Sequence, residues 1–403
     1  MQQIFAELFS GVVDMVSIAG LKSLIMFVIA GVLIYLAIKK DYEPTLLLPI
    51  GFGCILANLP GAIDAVTGLK APAALGEAGF LSVLFDAGIA NELFPVLIFI
   101  AVGAMIDFSP LLKDPSMIFF GAAAQFGIFA TFLLSLVLIP IIPGLVAEGD
   151  QDMVLKLASA IGIIGAADGP TTLFVANHFE LKDYMGPISV AAYSYMALVP
   201  VIQPPVIKAL TTKKERMIRM DYQEERCSKT TLILFPIIVT IVAGIIVPMS
   251  APLVGSLMFG NLIRECGVLE RLSKTAQNEL ANLVTIVLGI TVGGTMVADK
   301  FLHPTTALIL ILGLFAFVFD TAGGVLFAKF LNLFRKKKVN PMIGAAGISA
   351  FPMSSRVIAK MALKEDPSNF ILMQSTSANV SGQLGSIVAG GMVITLVSML
   401  LGA

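Results

Sequence analysis

The sequence predicts an all-α polytopic membrane protein with an inverted-repeat, transporter-like architecture of about ten spanning helices plus two broken re-entrant hairpins. Three observations predict it: apolar runs recur from end to end, basic clusters impose a parity on the crossings, and the two halves share short motifs. Of 403 residues, 57% are hydrophobic and 13% charged. The mean hydropathy is +0.93, and windows of about 18 apolar residues follow one another along the chain. The net charge of -1 says little, because in a bilayer the placement of Lys and Arg carries the topology and their sum does not.

In the first half the apolar segments run over residues 21–38, 45–58, 93–112, 115–140, 154–178 and 184–207. In the second half they run over 230–248, 250–265, 281–298, 304–333, 340–360 and 369–401. Basic clusters stand at Lys39 and Lys40, across Lys208 to Lys229 with seven Lys/Arg against four Asp/Glu, and at Arg335 to Lys338. With all three on the cytoplasmic side, an even number of crossings separates any two. Five segments lie between the first and second clusters and four between the second and third, so one of the five does not cross fully. Segment 154–178 is the candidate: Gly162, Gly165, Gly169 and Pro170 break its middle, and Asp168 is costly at that depth. As a hairpin entered from outside it resolves the parity. Segment 340–360, with Pro341, Gly344, Gly347 and Pro352, is broken in the same manner and reads as a second hairpin, entered from the cytoplasm.

The halves also match weakly. "GAADGPTT" at 165 pairs with "GISAFPMSS" at 347, setting Pro170 against Pro352 at an offset of 182. "VGAMIDF" pairs with "GGTMVADKF" (Met105 with Met296), and "GFGCIL" with "MFGNLI" (Gly53 with Gly260), at offsets of 191 and 207. Segment 45–58 then runs inward to outward while its partner 250–265 runs the other way, so the repeats are inverted. The expected units are residues 1–207, a basic cytoplasmic loop at 208–229, and residues 230–403.

The start, "MQQIFAELFSGVVDMVSIAG", lacks a basic n-region and reads as an amphipathic lead-in. Cys54, Cys227 and Cys266 have neither metal spacing nor an even count, so no disulfide framework follows. The chain carries no Walker-type glycine loop and no haem or zinc spacing, which disfavours an ATP-driven pump encoded by this chain alone. No nucleic-acid partner is expected.

An unpaired backbone N–H or C=O in hydrocarbon costs several kcal/mol, so a broken hairpin aims its carbonyls and helix ends at something. Asp168, the carbonyls near Gly165 to Gly169 and the hydroxyls of Thr171 and Thr172 make an all-oxygen set suited to a hard cation, sodium or a proton. Arg356 in the second hairpin is the nearest obvious basic partner for Asp168. In the last segment, "SANVSGQLGS" supplies Asn379, Ser381, Gln383 and Ser386, as ligands or as ordinary helix-packing groups. Tyr193 aligns with Asn379 at an offset of 186. Asp107 and Asp299 read as helix-terminal, and Asp320, deep in "FAFVFDTAGG", as a secondary candidate for ion passage. Asn58 and Pro60 could point a helix C-terminus toward the core, which would favour a cation.

The motifs "GAADGPTTLF", "GAMIDFSPLL", "GFGCILANLPGA" and "ANVSGQLGS", spread over residues 51–386, resemble the membrane beta subunit of the sodium-translocating biotin-dependent decarboxylases. These include the oxaloacetate, methylmalonyl-CoA, glutaconyl-CoA and malonate enzymes. The resemblance implies that a soluble carboxyltransferase alpha subunit loads a carboxyl group onto biotin of a carrier protein. The beta subunit then decarboxylates that carboxybiotin, driving sodium out of the cell as a proton is consumed. It further implies small membrane-anchored partner subunits and residence in the inner cell membrane, and it leaves a homo-oligomer open. By motif match the sodium and coupling residues are Asp168, Asn379 and Ser386, with a functional tyrosine that is either Tyr193 or Tyr195. Thr171 and Ser381 complete the expected sodium ligands. Where small or apolar residues are commoner, "NVSGQLGS" has a Ser and a Gln. The competing expectation is a stand-alone sodium symporter or sodium/proton antiporter, motivated by the inverted repeats and the missing nucleotide motif.

Overall fold

The computed structural model describes residues 15, 18–60, 62–63, 70–71, 79–142, 146–147, 149–182, 184–220 and 227–402. The expected N-terminal lead-in and residues 221–226 of the basic loop lie outside the described residues. Apart from a two-residue antiparallel ladder, β1 (Ala62–Ile63) with β2 (Lys70–Ala71), the described chain is helical.

The first half comprises α1 (Ile18–Lys40), α2 (Pro44–Ala57), α3 (Phe80–Leu84) with a π turn at Phe85–Ile89, α4 (Leu93–Met105), α5 (Ser109–Lys113), α6 (Ile118–Ala124) and α7 (Phe126–Leu138). It closes with α8 (Gln151–Ile164), α9 (Gly169–His178) and α10 (Met185–Leu210), and the short α11 (Lys213–Arg216) follows. The second half comprises α12 (Lys229–Ile246), α13 (Ala251–Glu265), α14 (Glu270–Thr275) with a π turn at Ala276–Leu280, α15 (Ala281–Gly294) and α16 (Ala298–Phe301). Then come α17 (Pro304–Phe334), α18 (Met342–Ala345), α19 (Met353–Glu365) and α20 (Leu372–Leu401).

Among the described residues, six helical stretches are long and apolar enough to cross a membrane: α1, the α6–α7 stretch Pro115–Ile141, α10, α12, α17 and α20. A seventh span results if α3 and α4, bent by 61° at their junction, count as one. The remaining expected crossings fall on α2, α13 and α15, of 14, 15 and 14 residues. At 1.5 Å per residue a 14-residue helix reaches about 21 Å, short of a hydrocarbon core about 30 Å thick.

These short helices pair across the halves, α2 with α15 and α4 with α13. Glycine permits it. A Cβ on Gly53 would lie 2.3 Å from the Ile290 carbonyl oxygen, and one on Gly293 would lie 2.1 Å from that of Ile50. The other pair repeats the device, with Gly103 on the Leu257 carbonyl and Gly260 on the Ile100 carbonyl, 1.9 and 2.0 Å from the added atom. Where lipid removes the hydrophobic drive between helices, such backbone-on-backbone contact supplies the dispersion attraction. Asn58 fixes the crossing: its Nδ2 donates to the carbonyls of Cys54 (2.8 Å) and Met296 (2.7 Å), and its Oδ1 accepts from Ala298 N (2.9 Å). This side chain clamps two helix ends, so the expected role for the end of α2, facing a cation, is taken up by protein.

The basic loop is tied down where it is described. Arg216 pairs with Glu365 and Arg219 with Asp366, each at 2.8 Å, at the far end of α19. Asn340, just before α18, donates to the carbonyls of Arg216 and Ile218.

The glycine crossings give a test. Gly293→Leu is expected to lower stability by about 3 kcal/mol through overpacking. Gly31→Ala in α1, where an added Cβ meets nothing within 4 Å, should leave it unchanged or slightly raised. Thermal unfolding in detergent reads both; equal midpoints would refute the close crossing.

Candidate functional site

Two of the predicted segments are broken where the sequence breaks them. The first broken segment stops at Ile164, turns through Gly165–Ala167 with Ala167 at φ 53°, and restarts as α9. Asp168 caps that restart: its Oδ1 accepts from Thr171 N at 3.1 Å, and Pro170 occupies the first turn, where a missing N–H is harmless. The carboxylate thus sits at the positive end of a helix dipole. Gly169 is needed because the Tyr193 ring lies against it; a Cβ there would come within 2.4 Å of the ring. The second broken segment stops at Ala345, passes a cis Phe351–Pro352 bond and restarts as α19.

The two breaks touch. Ser349 N donates to Ala166 O at 2.9 Å, joining the turns through backbone. The Asp168 carboxylate, 2% exposed, then receives two hydroxyls on Oδ2: Ser349 from the second break at 2.9 Å and Ser386 from α20 at 2.6 Å. Asn379, one helical face along on α20, donates to Ile348 O at 2.7 Å and so holds the second turn. Gln125, where α6 gives way to α7, donates to Gly121 O and, at 3.3 Å, to Gly347 O. The carboxylate has no basic partner among the described ion pairs.

Around this core three buried oxygens are unmatched: Thr171 Oγ1, Tyr193 Oη and Asn379 Oδ1. Buried polar atoms without partners are uncommon and expensive, so a cluster of them marks a place built to receive a ligand. Hydroxyl, amide and carboxylate oxygens are the donors a hard cation takes.

The structure gathers Asp168, Thr171, Tyr193, Asn379 and Ser386, and it sets other expected residues elsewhere. Ser381 is engaged against α6, donating to Met117 O and Ala378 O and accepting from Gly121 N, so it packs helices. Tyr195 turns the other way and its hydroxyl donates to Leu310 O on α17. Thr172 folds back onto Asp168 O at 2.7 Å, as a Thr inside a first turn does. Arg356 is exposed on α19 and lines a separate cavity of about 640 Å3 with Asp41, Lys208 and Lys360. It does not partner Asp168, because α19 is amphipathic and turns that face outward.

Ser349 and Gln125 are the residues that reading the sequence missed. Ser349 lies between Gly347 and Pro352, inside the segment already marked as broken, and a hydroxyl in that turn was the available signal. Gln125 gave none, since a lone amide in an apolar run is most often helix-packing glue.

A cavity of about 630 Å3 opens among α5, the basic loop and the start of α20. Lys113, Arg219, Arg335 and Lys338 are among the residues at its wall, and Ser377 on α20, two residues before Asn379, lines it too. Its wall therefore presents positive charge and leads to the polar face of α20.

The family model for the Na+-transporting oxaloacetate decarboxylase beta subunit matches residues 22–397. The oxaloacetate decarboxylase beta chain of Klebsiella pneumoniae is 44% identical over 94% of this chain and 96% of its own. The methylmalonyl-CoA decarboxylase subunit beta of Propionigenium modestum is 47% identical over 93% of this chain and 94% of its own. That of Veillonella parvula is 46% identical, with 93% of each chain covered. With a family model that takes in nearly every described helix, and relatives this similar end to end, the chain belongs to the family of beta subunits of Na+-transporting decarboxylases.

Proposed function

We propose that this chain is the membrane subunit of a decarboxylase sodium pump: it decarboxylates carboxybiotin presented by a carrier protein and couples that step to sodium export. The observation that carries the reading is the Asp168 carboxylate held by groups from three separate stretches, a backbone amide of the first break and hydroxyls of the second break and α20. Such a group can exchange hydroxyl donors for a cation without leaving its place. With sodium bound, Ser349 and Ser386 turn their lone pairs toward the ion, while Thr171 Oγ1 and Asn379 Oδ1 are further oxygens within the same buried cluster. Tyr193, beside Gly169, is the tyrosine we assign to the site.

The basic wall of the 630 Å3 cavity suits the carboxylate of carboxybiotin. Desolvating that carboxylate as it moves inward favours loss of carbon dioxide, and the ureido nitrogen then takes up a proton. Exporting one sodium against 100 mV costs about 2.3 kcal/mol, so the site must change its open side in step with the chemistry. The carrier, a carboxyltransferase alpha subunit and small membrane-anchored subunits are the partners this reading needs. Family membership favours it over a stand-alone symporter or antiporter.

We further propose inverted repeats over residues 1–207 and 230–403, with two re-entrant hairpins and about ten crossings. Supporting this is the matched order of elements: a π turn precedes α4 and another precedes α15, and short helices α5 and α16 follow them. A broken pair then precedes the last helix of each half, α8–α9 before α10 and α18–α19 before α20. The pairing of α2 with α15 and of α4 with α13 is what a two-fold exchange of the halves would require.

Three outcomes follow. Asp168→Asn in the reconstituted complex should abolish sodium transport and sodium-dependent decarboxylation while thermal unfolding shows an intact fold; retained transport would remove Asp168 from the mechanism. Ser349→Ala should raise the sodium concentration for half-maximal rate about tenfold, as loss of a ligand-supporting hydroxyl does, with an unchanged value counting against the bridge. In a cysteine-free background, His178→Cys and Lys364→Cys should label from opposite sides of the membrane, and labelling from one side would overturn the inverted hairpins.

A further inference from the structure

The second break vacates carbonyls that a continuous helix would fill. In an α-helix each N–H bonds the carbonyl four residues earlier. Ala345 O would then take Ser349 N, Gly347 O would take Phe351 N, and Ile348 O would face Pro352, which has no N–H. The break redirects both amides: Ser349 N goes to Ala166 O at 2.9 Å and Phe351 N to Ser349 O at 2.7 Å. Each vacated carbonyl takes a side-chain amide instead. Asn379 bonds Ile348 O at 2.7 Å, Gln125 bonds Gly347 O at 3.3 Å, and Gln203 on α10 bonds Ala345 O at 2.7 Å.

Gln203 differs from the other two in being bonded at both ends of its amide. The oxygens of Gln125 and Asn379 are unmatched, whereas Gln203 Oε1 accepts from Ser354 Oγ at 3.0 Å. Ser354 Oγ also lies 3.2 Å from Ala345 O, and both side chains are 0% exposed. Ser354 stands in the first turn of α19 and Ala345 ends α18, so one amide ties the two sides of the break to α10. On its other side α18 is pressed onto α17, where a Cβ on Gly344 would lie 1.9 Å from Gly324 O. Along α10, ten residues before Gln203, the Tyr193 ring lies against Gly169 at the first break. A single helix therefore grips both breaks, at points about 15 Å apart along its axis.

A buried carbonyl stripped of its donor is costly, and the donor the chain itself offers to Ala345 O is Ser349 N, four residues on. Were that helical bond to close, Ser349 would leave Ala166 O, and its hydroxyl would leave Asp168 Oδ2, which it bonds at 2.9 Å. We propose that Gln203 is a positioning residue for the cation site: by occupying Ala345 O it keeps Ser349 out of the helix and its hydroxyl on the Asp168 carboxylate. This rests on the sodium reading of Asp168 given above and adds to it a residue that acts through Ser349.

The test is a double-mutant cycle read by equilibrium binding of radioactive sodium to the purified full-length chain, with thermal unfolding to verify the fold. Gln203→Leu and Ser349→Ala should each weaken sodium binding about tenfold. The double variant should also lose about tenfold rather than a hundredfold, because both changes remove the same hydroxyl from the site. A general loosening of the core would lower affinity further in the Ser349→Ala background, so a hundredfold loss would overturn the positioning role. Wild-type affinity in Gln203→Leu would overturn it too. If Gln203→Leu does not fold, Gln203→Asn decides in the same cycle, since it keeps an amide that is one methylene too short for Ala345 O; unchanged affinity there sinks the proposal. Asp168→Asn separates the two failures. If it binds sodium as wild type does, the site itself falls and the proposal with it; if it loses sodium while Gln203→Leu binds normally, the positioning role alone falls.

Discussion

Everything at the centre of this protein depends on one carboxylate oxygen, Asp168 Oδ2, and the two hydroxyls that share it. Ser349 and Ser386 come from parts of the chain 181 and 218 residues away. Neither break could persist alone in hydrocarbon, because each leaves helix ends with no partners of their own. Together they satisfy one another: Ser349 N takes Ala166 O, Asn379 takes Ile348 O, and Gln125 takes Gly347 O. The interior is rigid where these bonds hold and poised where Thr171, Tyr193 and Asn379 keep oxygens unmatched.

On the proposed reading, that arrangement lets the site be emptied without unfolding. The hydroxyl donors are on the second hairpin and on α20, while the carboxylate is on the first hairpin. A shift of one group of elements against the other changes the ligand count at Asp168 and leaves its helix cap intact. The glycine crossings of α2 with α15 and α4 with α13 form a frame outside this centre, with backbones in contact and little room for adjustment. A frame packed backbone on backbone thus surrounds the two breaks.

Much of this was legible in the sequence because lipid makes the rules strict. Apolar runs, the breaks at Gly165–Pro170 and Gly344–Pro352, and the polar stripe of α20 are all visible there, since few residue types survive in those places. Asp168, Asn379 and Ser386 were singled out together through the motifs that carry them, and in the structure Ser386 bonds the Asp168 carboxylate while Asn379 bonds Ile348 O. What was not legible came from distance and direction. Tyr193 and Tyr195 differ only in which way they face on α10, and Ser381 and Ser386 only in which helix they meet. Arg356 looked like a counter-ion until α19 turned it outward, and Gln125 carried no signal of the break between α6 and α7 that it occupies.

The central claim is that loss of carbon dioxide and sodium binding are one event at this centre. The most direct measurement is release of labelled carbon dioxide from a carboxylated biotin carrier by the reconstituted complex in liposomes, titrated with sodium. Release that rises and saturates with sodium is the result this account predicts. Release at a full rate without sodium, from a folded complex and a verified carrier, would contradict it.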